Sequence, residues 1–410
     1  MKLLWVKAGG LLPPDIGGKI RSYNILKQLA RKHEITLFTF YAEHPDDVHP
    51  RGADIFSKVV AVPLPLPPRR SLAEYARYAS MLVAGRPFTI DKYLYPVVRR
   101  RYAELLASAA FDLIVCDFIS PAPLIDWQTP PPKILFTHNV EAQVWERHYK
   151  VVSNPVVKLA CWLESRALNR VECHYAGLAD HVLTVSENDR AAFARYADPG
   201  RISVIPTGVD TEYFQPAPGP QQPDTTVFTG SMAWMPNEDG VAYYVEKIFP
   251  LVRREIPEAL FWAVGRQPPR RLQALASESV VVTGAVEDIR PYLGKAAVCV
   301  VPLRSGSGTR IKIFEAMAMG KAVVSTTMGA EGLPVSHGEN IILADEPADF
   351  ARQVVALLRD PERRERLGRA ARELVERNYG WPSVAAYFDQ IMHSVAFHER
   401  PPHYQRTSAP

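Results

Sequence analysis

Two segments of this 410-residue chain share one order of elements, and this repeat constrains the fold more than any other feature. Each runs from a short apolar strand through a loop into a helix and on to a second apolar strand, first over 3–40 and again over 226–264. Such an opening begins a doubly wound α/β sheet. Because the two openings lie about 220 residues apart, they predict two Rossmann-like domains rather than one large domain.

Other apolar runs and helical periodicities extend this pattern. Further strands are predicted at 113–116, 133–137, 181–184, 203–205, 280–283, 298–303 and 322–326. The second opening has a predicted loop over 230–239 and a helix over 241–254, and three more helices are predicted at 349–358, 361–377 and 383–397. The proline-rich segment 216–223 marks the boundary between the domains.

The bulk composition narrows the functional classes. The chain is 47% hydrophobic and 22% charged, as globular proteins are, and its formal net charge of +4 is too small to indicate a nucleic-acid partner. It has no run of about 18 apolar residues, so no transmembrane helix is expected, and its short apolar start does not resemble a signal peptide. Cys116 and Cys299 lie in apolar strand-like runs outside any CxxC pair, which predicts buried free thiols in a reducing, cytoplasmic compartment.

The segment 298–333 carries the clearest binding chemistry. An apolar strand leads into a loop of small residues, and a helix follows from near Arg310. Backbone N–H groups of such a loop, with the positive end of a helix, form an anion site. Lys312 adds a second cation, and Glu315 leans back from the second helical turn towards the loop. Cations for phosphates and a carboxylate for sugar hydroxyls suit a nucleotide sugar. The predicted loop donors are Gly306, Ser307, Gly308 and Thr309.

Several motifs spread over nearly the whole chain carry a family resemblance. They are the Gly17-Gly18 loop, FTHNVE (136–141), LTVSENDR (183–190), IPTGVDTEYFQP (205–216), FTGSMAWMPNEDG (228–240), VTGAVEDIRPYL (282–293) and FEAMAMGKAVVST (314–326). Together they resemble the retaining glycosyltransferases of family 4, also called glycosyl transferases group 1, which have the GT-B fold. That resemblance implies an α/β protein of two Rossmann-like, doubly wound domains facing across a cleft, with acceptor bound by the first and the nucleotide-sugar donor by the second.

The resemblance also implies where the domains begin and end. The last helix is expected to cross back to the first domain, at the break in the pattern over 378–382. The predicted divisions are an acceptor-binding domain over 1–205, a linker over 206–224, a donor-binding domain over 225–380, a helix over 381–398 and a disordered tail over 399–410.

Two departures from the family pattern concern the donor site. Glu315 matches the second glutamate of a Glu-x7-Glu motif, which binds the ribose hydroxyls, but Ser307 stands in place of the first. Either this chain binds its sugar through backbone amides of the loop, or its catalysis is impaired. Many family members also carry an arginine and a lysine after the first strand of this domain, at positions that here hold Gly230-Ser231 and Pro236-Asn237.

These missing cations suggest a hypothesis for the diphosphate. In this hypothesis, Arg310 and Lys312 neutralise the negative charge of the donor diphosphate and act in catalysis. The alternative is that they are ordinary basic residues on a helix surface. Gly230 and Ser231 belong to the same predicted donor site, and Val286 matches the backbone position that pairs with the base in relatives. Trp234 either lines the donor pocket or belongs to the core or an interface.

Candidates in the first domain lie at the carboxyl ends of predicted strands, where ligands bind in α/β sheets. The resemblance places His138 on the donor sugar as a catalytic candidate, against the alternative of a satisfied loop histidine. Asn139 and Glu141 are weaker candidates, and Glu141 either contacts the acceptor or stabilises the loop. Gly17 and Gly18 suit close approach of the backbone to phosphate or acceptor, and Arg21 either meets an acceptor phosphate or lies on a solvated face.

The resemblance therefore implies a transferase that moves a hexose from a UDP- or GDP-linked sugar to a hydroxyl of a glycan or lipid-linked acceptor in polysaccharide or glycoconjugate biosynthesis. No metal is expected, because the chain has no Asp-x-Asp motif or His/Cys cluster, and no cofactor, because the nucleotide sugar is a substrate. A sugar-nucleotide epimerase and a catalytically silent binding protein stay open as alternatives. The segment 69–101 either faces the inner side of a membrane or forms a solvated helical insertion.

Overall fold

The computed structural model describes residues 1–12, 17–41, 55–67, 71–152, 154–305 and 311–399. The chain divides into two compact units. The N-terminal unit comprises Met1–Pro206 and the segment that begins at Pro382, and the C-terminal unit comprises Thr207–Trp381. Each unit has its own hydrophobic core. The predicted tail lies outside the described residues from residue 400 onwards.

The N-terminal unit is built on a seven-stranded parallel sheet in the order β3-β2-β1-β4-β5-β6-β7. Its strands are β1 Lys2–Ala8, β2 Glu34–Tyr41, β3 Lys58–Pro63, β4 Leu113–Asp117, β5 Lys133–Phe136, β6 His181–Thr184 and β7 Ile202–Val204. The strand order reverses between β1 and β4, which makes their carboxyl ends the switch point where ligands bind in such sheets. The register sets Lys7 of β1 directly opposite Asp117 of β4.

The helices of this unit begin at identifiable caps. They are α1 Gly17–Leu29, α2 Leu72–Val83, α3 Phe88–Asp91, α4 Pro96–Ser108, α5 Glu141–Val151, α6 Pro155–Leu178 and α7 Glu187–Phe193. Ser71 caps α2 through the N–H of Glu74, and Ser186 caps α7 through that of Asp189. Asn154 accepts two N–H bonds at the start of α6, where a proline fills the first helical position.

The C-terminal unit repeats the plan with a six-stranded parallel sheet in the order β10-β9-β8-β11-β12-β13. Its strands are β8 Gln222–Thr229, β9 Leu260–Val264, β10 Val280–Val282, β11 Ala296–Val301, β12 Ala322–Ser325 and β13 Ile342–Leu343. Its helices are α8 Met235–Tyr243, α9 Phe249–Glu255, α10 Arg270–Gln273, α11 Arg290–Lys295, α12 Ile311–Ala318, α13 Pro347–Arg359 and α14 Pro361–Asn378. The switch point of this sheet lies between β8 and β11.

One predicted helix of this unit has a different form. The segment predicted as a loop over 230–239 already contains the start of α8, because Pro236 occupies the first turn, where a missing N–H is tolerated. A π-helical stretch over Tyr244–Ile248 then separates α8 from α9. Pro250 follows that stretch and has no N–H to donate to the preceding turn, so a wider turn replaces the continuous helix.

The last helix, α15 Trp381–Ala396, belongs to the N-terminal unit for most of its length. Phe388 packs against Trp5 of β1 and Phe136 of β5, with ring centroids 5.7 and 5.2 Å apart. Asp389 bonds His33 at 2.6 Å, next to the start of β2. Across the described parts of the chain, no helix combines the length and apolar character that a membrane span requires.

Candidate functional site

A buried ionic network lies at the switch point of the N-terminal sheet. Asp117 accepts hydrogen bonds from Lys7 Nζ at 3.0 Å, Trp5 Nε1 at 2.9 Å and His138 Nε2 at 2.7 Å, and all four side chains are buried. Burial alone would raise the pKa of Asp117, but Lys7 and His138 hold it well below the ordinary range. The carboxylate is therefore charged and fully bonded.

His138 is fixed on every side in this network. Its Nδ1 faces Arg21 Nη1 at 3.0 Å, and because a guanidinium only donates, Nδ1 accepts and Nε2 carries the proton given to Asp117. Burial lowers the pKa of His138 to about 4, against the pull of Asp117, so the ring is neutral at pH 7. Phe118 stacks on it at 4.0 Å, and Phe136 covers it at 4.3 Å. Both ring nitrogens are thus occupied.

Helix α1 brings Gly18 and Arg21 to the same network. A Cβ on Gly18 would lie 2.5 Å from Cζ of Phe118, so the glycine permits close packing on that ring. Phe118 itself has a φ of 72°, an uncommon value for a large side chain. Arg21 is buried rather than solvated, and burial lowers its pKa to about 10, which leaves it charged. Gly17 is exposed as the first residue of α1.

The weaker candidates of this unit lie at the start of α5. The backbone N–H of Glu141 donates to Glu172 at 2.6 Å, and burial raises the pKa of the Glu141 carboxyl. Asn139 lies 3.4 Å from that carboxyl. Glu172 on α6 is also buried, and burial raises its pKa to about 8. It caps α5 by accepting from two backbone N–H groups, which gives it a structural role.

In the C-terminal unit, three of the predicted site residues, Gly230, Ser231 and Lys312, lie together at the end of β8, beside the switch point between β8 and β11. Gly230 directly follows β8 with a φ of 150°, and its N–H donates to the carbonyl of Val264 at 3.0 Å. Gly265 passes so closely that an added Cβ would overlap the carbonyl oxygen of Gly230. The backbone carbonyl of Ser231 accepts a hydrogen bond from the side-chain amide N–H of Asn237 at 2.7 Å. The loop after β8 is thereby held in one shape.

Lys312 reaches across from α12 into this loop. Its Nζ donates to Asn237 Oδ1 at 2.6 Å and lies 3.9 Å from the ring centroid of Phe228. A Cβ on Gly230 would lie 2.7 Å from that ammonium, so Lys312 fills the space beside the glycine. The ammonium on α12 therefore lies next to the loop that follows β8, and its role towards the diphosphate stays a prediction.

Glu315 lies one turn further along α12 and is half-buried. Burial raises the pKa of its carboxyl to about 7, although Lys312 opposes the shift. None of the described residues hydrogen-bonds or pairs with this carboxylate. A partly buried acid without a protein partner is a feature of ligand sites, since structural carboxylates are usually bonded.

Of the remaining predicted donor residues, two are among the described residues. Trp234 is exposed just before α8, and Val286 is partly buried against the core. Gly306, Ser307, Gly308, Thr309 and Arg310 lie outside the described residues.

One group of potential metal ligands occurs within the described ranges, formed by His33, Asp389 and His393. Lys32 Nζ lies 3.1 Å from Asp389, and the amine of Met1 lies 3.4 Å from His33. Two cations beside the ligand atoms disfavour a metal ion, so the arrangement suits an ion pair that fastens α15 to the sheet. It does not touch either set of candidate residues described above.

Neither the Lys7–Asp117 pair nor the capping role of Glu172 was predicted from the sequence. A signal existed in retrospect, because a lysine and an aspartate inside apolar strands are rarely buried without a partner. Which partner each one takes depends on the strand order, since Lys7 and Asp117 are paired across neighbouring parallel strands.

Comparison with known proteins identifies the family. The family model for Glycosyltransferase Family 4 matches residues 17–213, and the model for Glycosyl transferases group 1 matches residues 223–360. The chain belongs to this glycosyltransferase family. The resemblance drawn from the motifs is confirmed, and each model covers most of one structural unit.

Curated relatives and solved structures agree with this assignment. The chain is 28% identical over 240 residues to a D-inositol 3-phosphate glycosyltransferase of Streptomyces bingchenggensis, covering 51% of this chain and 52% of that protein. It is 30% identical over 207 residues to the phosphatidyl-myo-inositol mannosyltransferase of Mycobacterium leprae, covering 47% and 53%. The chain spans about half the length of the curated relatives it matches.

The solved structures extend the likeness to nearly the whole chain. Sucrose-phosphate synthase from Thermosynechococcus elongatus aligns with a TM-score of 0.72 at 18% identity, over 97% of this chain and 100% of that chain. HepE of Anabaena in complex with UDP aligns with a TM-score of 0.67 at 15% identity, over 96% and 100%. These likenesses show the GT-B fold, as predicted.

Proposed function

We propose that this glycosyltransferase is a retaining hexosyltransferase of polysaccharide or glycoconjugate biosynthesis. It transfers a hexose from a UDP- or GDP-linked sugar to a hydroxyl of a glycan or a lipid-linked acceptor. Family membership and the names of the relatives, which include inositol-phosphate glycosyltransferases and mannosyltransferases, support the reaction class. The solved complex of HepE with UDP-glucose supports the donor class. The donor is a substrate, so the proposal includes no resident cofactor and no metal.

The observation that carries the proposal is the arrangement of Lys312 and Glu315 on successive turns of α12. The Glu315 carboxylate, which has no partner among the described residues, has two oxygens for the two vicinal ribose hydroxyls. The Lys312 ammonium, held by Asn237 beside Gly230, neutralises the diphosphate. Arg310, predicted as the second cation, lies outside the described residues and keeps its predicted role.

The proposed chemistry uses this cation on the leaving group. As the bond from the anomeric carbon to the diphosphate oxygen breaks, negative charge grows on the diphosphate, and the ammonium of Lys312 stabilises it. The acceptor hydroxyl oxygen bonds the anomeric carbon from the same face, and its proton passes to the departing diphosphate. Retention of configuration then needs no covalent intermediate with the enzyme.

His138 has a narrower role in this proposal than the one predicted from the sequence. Both of its ring nitrogens are bonded, and its low pKa keeps it neutral, so it does not transfer a proton. We propose that it holds the Arg21 guanidinium and Phe118 in place near the first turn of α1. The exposed backbone at Gly17 is then the part of α1 that faces the acceptor, with Gly18 allowing the close packing behind it.

A peripheral contact with the inner face of a membrane forms part of the proposal. Tyr78 of α2 lies beside Glu164 of α6, and Gly85 lies beside Arg170, so α2 and α6 run in the same direction. The starts of both helices therefore lie at one end, and several apolar side chains are exposed there. They are Leu72, Tyr75, Val156, Val157, Leu159 and Trp162. Aliphatic and aromatic side chains with nearby lysines and arginines suit an anionic bilayer surface.

The test is turnover with a panel of donors. UDP-glucose, GDP-mannose and related sugars are first ranked by the rise in melting temperature that each produces. The preferred donor is then incubated with the full chain, and free nucleotide and sugar are measured. Release of nucleoside diphosphate, accelerated by an acceptor, supports the transferase. An epimeric donor without released nucleotide indicates an epimerase, and tight binding without any product indicates a silent binding protein.

A further inference from the structure

A cavity in the N-terminal unit is lined by none of the candidate residues discussed above, although Val140 and Ala142 of its lining flank Glu141. It has a volume of about 530 Å³ and lies between α5, α6 and the turn that follows α7. Three arginines line it, two from successive turns of α6 and one from the turn after α7. They are Arg166, Arg170 and Arg195. A cavity of this size accommodates a small phosphorylated molecule.

The described residues do not neutralise the arginines of this cavity. No carboxylate in the described part of the chain lies within ion-pair distance of any of the three. Elsewhere in the same unit, Arg101 pairs with Glu104 at 3.0 Å and Arg190 with Glu187 at 3.4 Å. One acid, Glu146, lines the cavity, but its carboxylate is taken by Lys150 at 2.9 Å. The lining therefore carries a net positive charge.

Neighbouring contacts orient several of the hydrogen-bond donors that line the cavity. The Arg166 guanidinium stacks over Trp162 at 4.6 Å, which holds its plane. The Arg170 guanidinium lies beside Gly85, where an added Cβ would come within 3.7 Å of it. Tyr196 donates its hydroxyl to Asn169 Oδ1 at 2.7 Å, so the amide nitrogen of Asn169 is left to donate.

We propose that this cavity binds a phosphate group, carried either by a small soluble molecule or by a lipid headgroup. Planar guanidinium forks match the oxygens of phosphate and donate two bonds at once. Three guanidinium forks without a carboxylate partner among the described residues, together with an oriented amide, offer more donors than the two oxygens of a carboxylate can accept, which favours a phosphate. The site goes beyond the proposed transfer reaction, because its lining includes neither Lys312 and Glu315 nor the acceptor-facing Gly17.

The first arm of the test uses soluble probes. Binding of inorganic pyrophosphate and of glycerol 3-phosphate is measured by calorimetry for the wild-type chain and for an Arg170→Gln/Arg195→Gln double variant. Loss of two charge-assisted donors should weaken binding by about tenfold or more. The matched control is Arg100→Gln/Arg101→Gln on α4, which removes the same charge from another exposed surface and should bind as the wild type does.

The second arm uses vesicles of phosphatidylglycerol and, as a neutral comparison, of phosphatidylcholine. Weaker sedimentation of the cavity variant, but not the control variant, with phosphatidylglycerol vesicles assigns the phosphate to a headgroup. A difference confined to the soluble probes assigns it to a small molecule. Equal binding of the wild-type and cavity variant in both arms, or no binding at all, overturns the proposal. Matching melting temperatures of the variants show that these exposed substitutions leave the fold intact.

Discussion

The two units have the same strand order around their switch points but different charge arrangements there. In the N-terminal unit, Lys7 and Asp117 face each other on neighbouring strands, and Asp117 and His138 are hydrogen-bonded and buried. In the C-terminal unit, a glycine takes the place beside the strand, Lys312 comes from a helix, and Glu315 has no partner in the described chain. A satisfied network fixes the backbone, whereas an unsatisfied carboxylate is available to a ligand.

The largest expected effect comes from a substitution that breaks the buried ionic network around Asp117. Asp117→Ala would leave Lys7 and His138 buried without their common acceptor, and removing one partner of a buried ion pair destabilises by about 3–5 kcal/mol. Urea unfolding followed by circular dichroism measures the free energy of unfolding. Glu104→Ala, on the exposed face of α4, serves as the control and should change it by less than about 0.5 kcal/mol. A loss below about 1 kcal/mol for Asp117→Ala would show that the network is not structural.

A second prediction compares how one titrating side chain in each unit makes the free energy of unfolding depend on pH. The folded pKa of His138 is about 4, below the ordinary 6.5, so the unfolded state binds the extra proton and stability falls as pH drops from 6.5 towards 4. The folded pKa of Glu315 is about 7, above the ordinary 4.5, so its contribution falls as pH rises from 4.5 towards 7. The two contributions to the free energy of unfolding therefore change with pH in opposite directions. For His138, the full change in this free energy is about 3 kcal/mol.

Subtraction isolates each contribution from the other titrating groups. The free energy of unfolding is measured between pH 4 and pH 8 for the wild type, for His138→Gln and for Glu315→Gln. The wild-type minus variant difference should rise with pH for His138 and fall with pH for Glu315. Parallel curves for either variant contradict the corresponding assignment.

A third prediction concerns donor binding by the unpartnered carboxylate. Glu315→Gln keeps the shape but loses the charge, so the donor KM should rise about tenfold to a hundredfold while the melting temperature stays close to that of the wild type. The wild-type KM should also rise as pH falls below about 7, and this dependence should be absent in the variant. Glu339→Gln, on an exposed turn, is the matched control. An unchanged KM for Glu315→Gln removes the ribose contact from the proposal.

The smallest expected effect tests the relocated cation. Lys312→Met keeps most of the side-chain length and removes the charge, so kcat/KM should fall by about tenfold because the leaving diphosphate loses one cation. Steady-state release of nucleotide measures it, with Lys295→Met at the end of α11 as the control. If kcat/KM is unaffected, Lys312 has only its structural bond to Asn237.

Much of the fold was predictable because buried parallel strands are short, continuous apolar runs. The runs at 181–184 and 260–264 coincide with β6 and β9. Strand β3 and the two-residue β13 were not predicted, because their apolar signals are weak or brief. The sequence pattern predicts a loop where α8 begins, because proline suggests a turn, although proline is also common in the first helical turn.

The candidate site was less predictable for a different reason. Residue type alone identified Lys312 and Glu315, but the bond from Lys312 to Asn237 joins positions 75 residues apart and depends on the strand order. The surroundings of His138 also depend on that order, since they combine Arg21, Asp117 and Phe118 from separate elements. The position of His138 in the sequence therefore predicts a catalytic residue but does not show the contacts that keep its ring neutral.

The packing of α15 has a consequence for synthesis on the ribosome. Phe388 completes the packing around Trp5 and Phe136, yet it emerges after every residue of the C-terminal unit. The nascent N-terminal unit must therefore wait with these aromatic rings uncovered while the later unit can already fold. A stalled or truncated chain that ends before residue 382 presents that uncovered surface, which makes it a ready substrate for chaperones and proteases.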